Sequence, residues 1–320
     1  LTELPKQWDL LKVAANRITY RANMAQVSVP ATSANLGPGF DSLGLALEIR
    51  DRYAAQILDD AIFDIDITGE GADEIKKDAK NLVIKSMMRG FEFMGGKPRG
   101  IALRASNVIP QGRGLGSSAS AIVGGLALSR ALVLSGDLYM SDEDLVALAT
   151  ELEGHPDNVA AAFYGGATIA WMENIHGKEF GQAVSIKVDP RIKAVVLLPQ
   201  NHLATTKARK LLPELVPHHD AVTNASRAAL LVHALSHRPD LLFAATQDHL
   251  HQKYRAEAMA QSFALLQKLR SAGVAAIISG AGPAILVLHT YTEVELADVI
   301  ATTPDSFTAM PVEISKTGVL

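Results

Sequence analysis

The sequence predicts an α+β fold in about two domains, and three observations carry that expectation. The chain has 320 residues, which at roughly 150 residues per domain means two domains or one large one. Apolar residues make up 48% and charged residues 20%, a balance that buries a core and argues against wholesale disorder. Strand-like and helix-like segments both run through the chain without strict alternation, which disfavours a doubly wound parallel sheet.

Residues 1–23 read as an extension with no catalytic part. Pro5 is placed to open a short helix there, with Leu4, Trp8 and Leu11 on one face. Leu1 is not an initiating residue, so the numbering is expected to begin inside a longer chain or at an engineered boundary. The first ten residues carry Glu3, Lys6 and Asp9 with no apolar run, so no signal peptide is expected.

From Met24 the pattern predicts strands over 26–29, 43–48, 53–58, 63–68 and 101–105. Helices are predicted over 82–94, 117–134 and 142–151, the last with Ser141 as N-cap and three acidic residues in its first turn. Strands follow at 167–171 and 184–188. Asp189-Pro190 is the best boundary signal, dividing a first domain, 24–188, from a second, 189–320. Beyond it come a short apolar run at 194–198, helices over 205–212, 221–236 and 258–272, strands at 274–279, 285–289 and 312–315, and a helix from 292 to about 300. No repeat or low-complexity tract is present.

Composition narrows the function. Aromatics are 5% and the net charge is −4, neither of which suits a nucleic-acid binder. The absence of cysteine removes disulfides, thiolate metal sites and a Cys nucleophile, and is compatible with a reducing compartment. The apolar stretches 121–134 and 274–288 are broken by Arg130 and by Gly280, Gly282 and Pro283. Both fall short of the roughly 18 residues of a membrane span.

The most informative local feature is PQGRGLGSSAS, Pro110 to Ser120. It follows a strand and opens a helix. Gly112, Gly114 and Gly116 stand at every second position, so backbone N–H groups can face inward without Cβ obstruction. The helix behind adds free N–H donors and partial positive charge, and Ser117 and Ser118 add hydroxyls. That is an anion cradle; the other reading is a tight strand-to-helix turn with a capping serine. No Lys-Ser/Thr follows the last glycine, so it is not a Walker A loop. Ser117 occupies the place of the third glycine in a dinucleotide fingerprint.

Four further clusters are each ambiguous alone. PATSANLGPGFDSLG, residues 30–44, offers Asn35 and Asp41 as polar heads on a tight loop, with Asp41 suited to a ligand ammonium. ELEGHPDN, residues 151–158, offers Glu153 as a hard oxygen ligand, His155, and Asn158 at the start of a helical stretch. TTKAR and LHQKYR place Arg209 and Arg255 where two guanidinium groups could clamp a carboxylate or phosphate; alone, each reads as a surface arginine. SGAGP, residues 279–283, permits close backbone approach or makes a hairpin turn.

Together these clusters, in this order and spanning nearly everything from Met24 to Leu320, resemble the signature set of the galactokinase, homoserine kinase, mevalonate kinase and phosphomevalonate kinase (GHMP) superfamily. Within it, SANLGPGFD, EGHPDN and the late arginines resemble the homoserine kinases. The resemblance implies a two-domain fold, with an N-terminal half of the ribosomal-protein-S5-domain-2 type and a C-terminal ferredoxin-like half. It implies transfer of a phosphoryl group from ATP to the side-chain hydroxyl of L-homoserine, on the route to threonine, with Mg²⁺, in a cytoplasmic enzyme without nucleic-acid or membrane partners, and it suggests a homodimer.

Carried over by residue, the resemblance implies that Pro110, Gln111, Gly112, Arg113, Gly114, Leu115, Gly116, Ser117, Ser118, Ala119 and Ser120 wrap the triphosphate. Asn81 would lie near the adenine, and Ser117 and Glu153 would hold Mg²⁺. Asn35, Asp41, His155, Thr205, Arg209 and Arg255 would hold homoserine, Asp41 at the ammonium and the arginines at the carboxylate. Asn158, Ser117, Glu153 and Arg209 would form the catalytic group. Asn158 stands where many superfamily members have an aspartate, and an amide cannot accept the hydroxyl proton as a carboxylate would. Catalysis is therefore expected from alignment, metal and N–H donors, with the proton passing to the γ-phosphate; Asp157 is not assigned as base. Two positions depart from the pattern: Arg113 replaces a small residue in the loop, and Lys253 stands where proline often precedes Tyr-Arg. Another small-molecule GHMP kinase, and a catalytically silent ligand-binding regulator on the same fold, are the competing expectations.

Overall fold

The structure is a computed structural model and describes residues 18–203 and 208–320. The helix expected around Pro5 and the site residue Thr205 lie outside the described residues. Residues 18–21 belong to the fold rather than to a separate extension. Ile18 is buried, Tyr20 packs edge-on against Phe91, and the backbone of 19–21 exchanges hydrogen bonds with Leu132 and Leu134.

The first sheet holds β1 (Ala25–Ala34), β2 (Leu43–Leu58), β3 (Phe63–Gly69), β4 (Gly100–Asn107), β5 (Ala167–Ile175) and β6 (Lys178–Ile186). Its order is β3-β4-β2-β5-β6, with β1 also on β2; β3 and β4 run parallel and the other pairs antiparallel. The two strands expected at 43–48 and 53–58 are one. The charged run Glu48–Arg52 interrupts the apolar alternation without breaking the strand. It coincides with a register shift, where Ala31 pairs with Leu47 but Pro30 pairs with Arg50. Across this irregularity the strands serve different cores. Val27, Val29, Tyr53 and Ala55 pack under the helices of the first half, whereas Ala31, Leu43, Leu45 and Leu47 pack with the second half. β6 begins earlier than expected because β5 and β6 form a hairpin through His176-Gly177, both at positive φ.

One face of this sheet is covered by α1 (Leu82–Phe93), α2 (Ser117–Ala131), α4 (Asp142–Glu153) and α5 (Asp157–Tyr164), with the one-turn α3 (Gly136–Tyr139) between α2 and α4. Ser141 caps α4 in a reciprocal capping box with Asp144, as the sequence predicts.

The second sheet contains β7 (Lys193–Pro199), β8 (Ala276–Ile278), β9 (Ile285–His289) and β10 (Phe307–Val312), in the order β10-β7-β9-β8, all antiparallel. With α6 (His218–Ser236) and the one-turn α7 (Leu242–Ala245) after β7, α8 (Ala260–Ser271) before β8, and α9 (Glu293–Ala301) between β9 and β10, this is the split βαβ arrangement of a ferredoxin-like half. The last strand lies upstream of the expected 312–315 segment. Pro311 obscures it in the sequence, and an edge strand tolerates that proline. The tail then returns to the first sheet: Ile314 bridges Leu47, and Leu320 exchanges both backbone hydrogen bonds with Ser28.

Candidate active site

The glycine loop is the centre of the site. Gly112, Gly114 and Gly116 have φ of 63°, 79° and 70°, the left-handed region that a side chain disfavours. A Cβ on Gly114 would stand 2.2 Å from Ser279 O, and one on Gly116 1.9 Å from Thr32 Oγ1. Gly116 is itself the N-cap of α2 and supplies no side-chain cap, so the amides of the first turn face the loop. The capping serine of the simpler reading is not there.

Two partners hold the cradle. Ser279 Oγ donates to Gly114 O at 2.6 Å, and Ala284 N donates to Arg113 O at 3.1 Å, so SGAGP braces the loop tip. Beneath, buried Asp51 clamps both loop ends. Its Oδ1 accepts from Val108 N and Ile109 N at 2.7 and 2.9 Å; its Oδ2 accepts from Ser120 Oγ and Tyr53 OH at 2.9 and 3.0 Å. Pro110, Ala119 and Ser120, also expected at the triphosphate, are buried. Arg113 also departs from the expected phosphate contact. Its guanidinium turns away to the carbonyl of Pro199 and to His202, which offer acceptors on the other side of the loop.

Glu153, His155, Asp157 and Asn158 meet at the corner between α4 and α5. Glu153 is the last residue of α4, Gly154 at φ 90° turns the chain, and α5 starts at Asp157, one residue before Asn158. The hydroxyl that reaches Glu153 is that of Ser118, at 2.7 Å, one residue later than the expected Ser117. Burial raises the Glu153 carboxyl pKa, against the Ser118 hydrogen bond and the charge of His155, which pull it down. His155 Nδ1 lies 2.7 Å from Asp157 Oδ1. Burial lowers the imidazole pKa, but the hydrogen bond and charge of Asp157 outweigh it, and the net shift is upward. Asn158 Oδ1 accepts from Thr32 Oγ1 at 2.7 Å, a fully buried threonine that sequence reasoning passed over inside a quoted motif.

Opposite stand the amino-acid candidates. Asn35, Leu36 and Asp41 all have positive φ, 68°, 46° and 54°. Asn35 staples this loop: its Oδ1 accepts from Asp41 N at 3.0 Å and its Nδ2 donates to Gly280 O at 2.8 Å. Asp41 is paired in full with Arg209, so the residues expected at opposite ends of one ligand hold each other. Arg255 is 1% exposed. Burial and the nearby Arg209 charge lower its pKa to about 10, which leaves it cationic at neutral pH. Its Nη1 donates to His251 Nδ1 at 3.1 Å, and its Nε has no partner among the described residues. His251 Nε2 in turn faces Gly37 O at 2.9 Å. Phe40 stacks on His251, with both guanidinium groups over its ring at 5.7 and 5.4 Å.

Asn35, Asp41, Arg209 and Arg255 line one cleft with Glu153, His155, Asp157, Asn158, Ser117, Ser118 and the loop glycines. A second cavity of about 170 Å³ adjoins it, sharing Ser117 and Ser118 and lined by Ile67, Ile75, Asn81, Val83, Asn107 and Gln111. Asn81 lines this cavity, but its side chain caps α1, accepting from Val83 N and Ile84 N and donating to Lys76 O. A wider groove of about 450 Å³ crosses the sheet near Arg52 and Arg104 and shares no residue with the cleft. Among the described residues no group of three or more His, Asp or Glu converges as a metal cage. No described helix is long and apolar enough to cross a membrane.

Comparison with known proteins identifies the family and the fold. The profile of the GHMP kinases N terminal domain matches residues 81–166. The homoserine kinase of Streptomyces coelicolor is 48% identical over 286 residues, 89% of this chain and 90% of the relative. That of Mycobacterium tuberculosis is 46% identical over 84% of this chain and 85% of its own. The crystal structure of homoserine kinase from Cytophaga hutchinsonii superposes with a TM-score of 0.80 at 27% identity, covering 94% of this chain and 98% of the other. Mevalonate diphosphate decarboxylase from Staphylococcus aureus, at 14% identity and a TM-score of 0.63, shares the fold. The two-sheet architecture is thus the GHMP kinase fold, and the chain belongs to the homoserine kinase family.

Proposed function

We propose that the chain transfers the γ-phosphoryl group of ATP to the side-chain hydroxyl of L-homoserine, giving ADP and O-phospho-L-homoserine on the route to threonine. The observation that carries this reading is a single cleft in which glycine-loop amides and the Ser118–Glu153 pair face Asp41, Arg209 and Arg255. An amino acid offers the ammonium and carboxylate that such a set recognises. The halves 24–188 and 189–320 are read as the nucleotide domain and its partner. The enzyme is read as cytoplasmic and homodimeric, the latter testable by sedimentation.

Loop amides and the N-terminus of α2 would hold the phosphates and the charge that spreads over the transferring group. Arg255, with its unpartnered Nε, and Arg209 would hold the substrate carboxylate, and Asp41 the ammonium. His155, anchored on Asp157, and Asn158, anchored on Thr32, would border the reacting hydroxyl. The hydroxyl oxygen bonds to the γ-phosphorus as the bond to the bridging oxygen breaks. Asn158 is no base, so the proton passes to the phosphate, consistent with a loose transition state. Ser118 and Glu153, with Ser117 beside them, would hold Mg²⁺. One carboxylate and one hydroxyl suit an ion that keeps waters and phosphate oxygens as its other ligands, and when bound it supplies charge neutralisation.

A coupled ADP-release assay with homoserine, shikimate and mevalonate tests the reading. Turnover is expected with homoserine alone. Preference for another acceptor would assign a different GHMP kinase activity, and binding of ATP and homoserine without product would assign a silent regulator.

A further inference from the structure

His251 is fully buried, and its ring joins the two segments that carry the amino-acid candidates. Nε2 stands 2.9 Å from Gly37 O, in the loop of Asn35 and Asp41. A carbonyl only accepts, so Nε2 carries the hydrogen. Nδ1 stands 3.1 Å from Arg255 Nη1, which only donates, so Nδ1 is the acceptor. The ring is thereby fixed as the neutral Nε2–H tautomer. Burial favours the same state, lowering the imidazole pKa against the charge of Asp248. The backbone behind the ring is pinned in turn. Buried Asp248 accepts from the N–H groups of Leu250, His251 and Gln252 at 3.0, 3.2 and 2.7 Å. Asn224 accepts from His249 N at 3.1 Å and donates to Pro38 O at 2.7 Å, and Phe40 stacks on the imidazole. Arg255 lines the cleft, whereas His251 does not.

We infer that His251 is a positioning residue for the substrate: as the acceptor behind Arg255 it aims the guanidinium at the homoserine carboxylate and holds it at a fixed span from Asp41. The inference rests on the homoserine reading above and extends it to a residue that touches no ligand. Arg255 Nη1 has His251 at 3.1 Å and Gly280 O only at 3.4 Å, so removing the ring nitrogen takes away the better of the two acceptors. A buried guanidinium that loses it turns toward other acceptors and must be reordered when the carboxylate arrives, whereas a guanidinium already held in place gives that ordering in advance. The effect belongs to the amino-acid side of the cleft, because Gly37, Phe40, Asp248 and Arg255, the partners of the ring, all lie outside the glycine loop and the Ser118–Glu153 pair.

The test measures kcat and both KM values in His251→Phe, His251→Asn, Arg255→Lys and the double variant of His251→Phe with Arg255→Lys. Phenylalanine keeps the stack on Phe40 but offers no acceptor. Asparagine gives up the stack but can set its amide oxygen near the place of Nδ1. His251→Phe is expected to raise the homoserine KM about tenfold or more, with little change in kcat or the ATP KM, and His251→Asn should recover most of that loss. The double variant should be no worse than Arg255→Lys alone, because the ring acts through the arginine. A merely structural ring gives the opposite order, with asparagine worse than phenylalanine, a higher ATP KM, and losses that add; any of these would overturn the inference. In wild type at neutral pH the imidazole ¹⁵N resonances should show the Nε2–H tautomer, and a charged ring or the other tautomer would overturn it even where no variant folds. An unchanged homoserine KM in Arg255→Lys would remove the substrate reading itself. A raised KM there with none in His251→Phe would remove only the role of His251.

Discussion

Arg209 grips Asp41 through two hydrogen bonds, of 3.0 and 2.6 Å, across 168 residues of sequence. Both side chains keep about a third of their surface in water, 38% and 34%, so the pair contributes about 1 kcal/mol or less to stability. A zwitterionic amino acid can replace each partner with its own opposite charge. Asp41→Asn is therefore expected to raise the homoserine KM about tenfold or more with little change in melting temperature. The left-handed backbone at Asp41 accommodates asparagine well. Combining it with Arg209→Lys should cost less than the two losses added, because the residues are coupled. An unchanged homoserine KM would exclude Asp41 from the substrate.

Arg255 is the deeper anchor, held by His251 with its Nε unpartnered among the described residues. Arg255→Lys keeps a charge but not the planar fork. It should weaken homoserine binding by roughly 1.5–3 kcal/mol while leaving the ATP KM nearly unchanged. Isothermal titration of a folded variant with each ligand separates the two effects, and equal weakening of both would argue against a substrate role.

Glu153→Gln removes the carboxylate that accepts from Ser118. The Mg²⁺ concentration for half-maximal rate should rise and the rate at limiting Mg²⁺ should fall at least about tenfold. A metal titration that overlays wild type would place the ion elsewhere.

Asp51 accepts four hydrogen bonds while buried, two from Val108 N and Ile109 N before the glycine loop, one from Ser120 Oγ after it and one from Tyr53 OH of β2. Asp51→Ala would strand the buried Ile109 N–H and the part-buried Val108 N–H, so urea unfolding should report a loss of roughly 2–4 kcal/mol, accompanied by a higher ATP KM. A loss under about 1 kcal/mol would mean that the loop ends are held by packing alone.

His155 links pH to stability. Its folded pKa lies above the ordinary value of 6.5 through Asp157 and Glu153, which outweigh burial. Its stabilising contribution is thus fully present below about pH 6.5 and fades as pH rises through the folded value. In metal-free protein, the difference in melting temperature between wild type and His155→Asn should be larger at pH 5.5 than at pH 9. A difference that grows with pH would contradict the assigned shift.

Local chemistry made much of this site legible. The three glycines announce a backbone that only glycine adopts easily, and the chain needs no distant partner to place them before a helix. The four polar residues of EGHPDN likewise converge because a helix end, a glycine and a helix start follow within six positions. The reach of Ser118 rather than Ser117 was not legible. Adjacent helical residues differ by about 100° in direction, and only the position of Glu153 decides between them. Nor was the Arg209–Asp41 pair, since sequence supplies both charges without saying that they face each other. Asp51 carries no motif; its role follows from burial beside the loop.

In the fold, the helices of the first half were readable from periodicity and caps, while β2 and β10 were misread for opposite reasons. β2 carries a charged run inside a real strand. β10 carries a proline that an edge strand tolerates. Both features are decided by neighbouring strands.

The core joining the halves has a mechanical consequence. Leu43 and Leu45 of β2 share one buried cluster with Val196 and Leu286 of the second sheet, and Gly280 N donates to Ala34 O. Swinging the halves apart like jaws would wet that cluster at about 25 cal/mol per Å². Opening the cleft by that route is accordingly costly, whereas Arg209, which lines it, is held there only by a half-exposed ion pair.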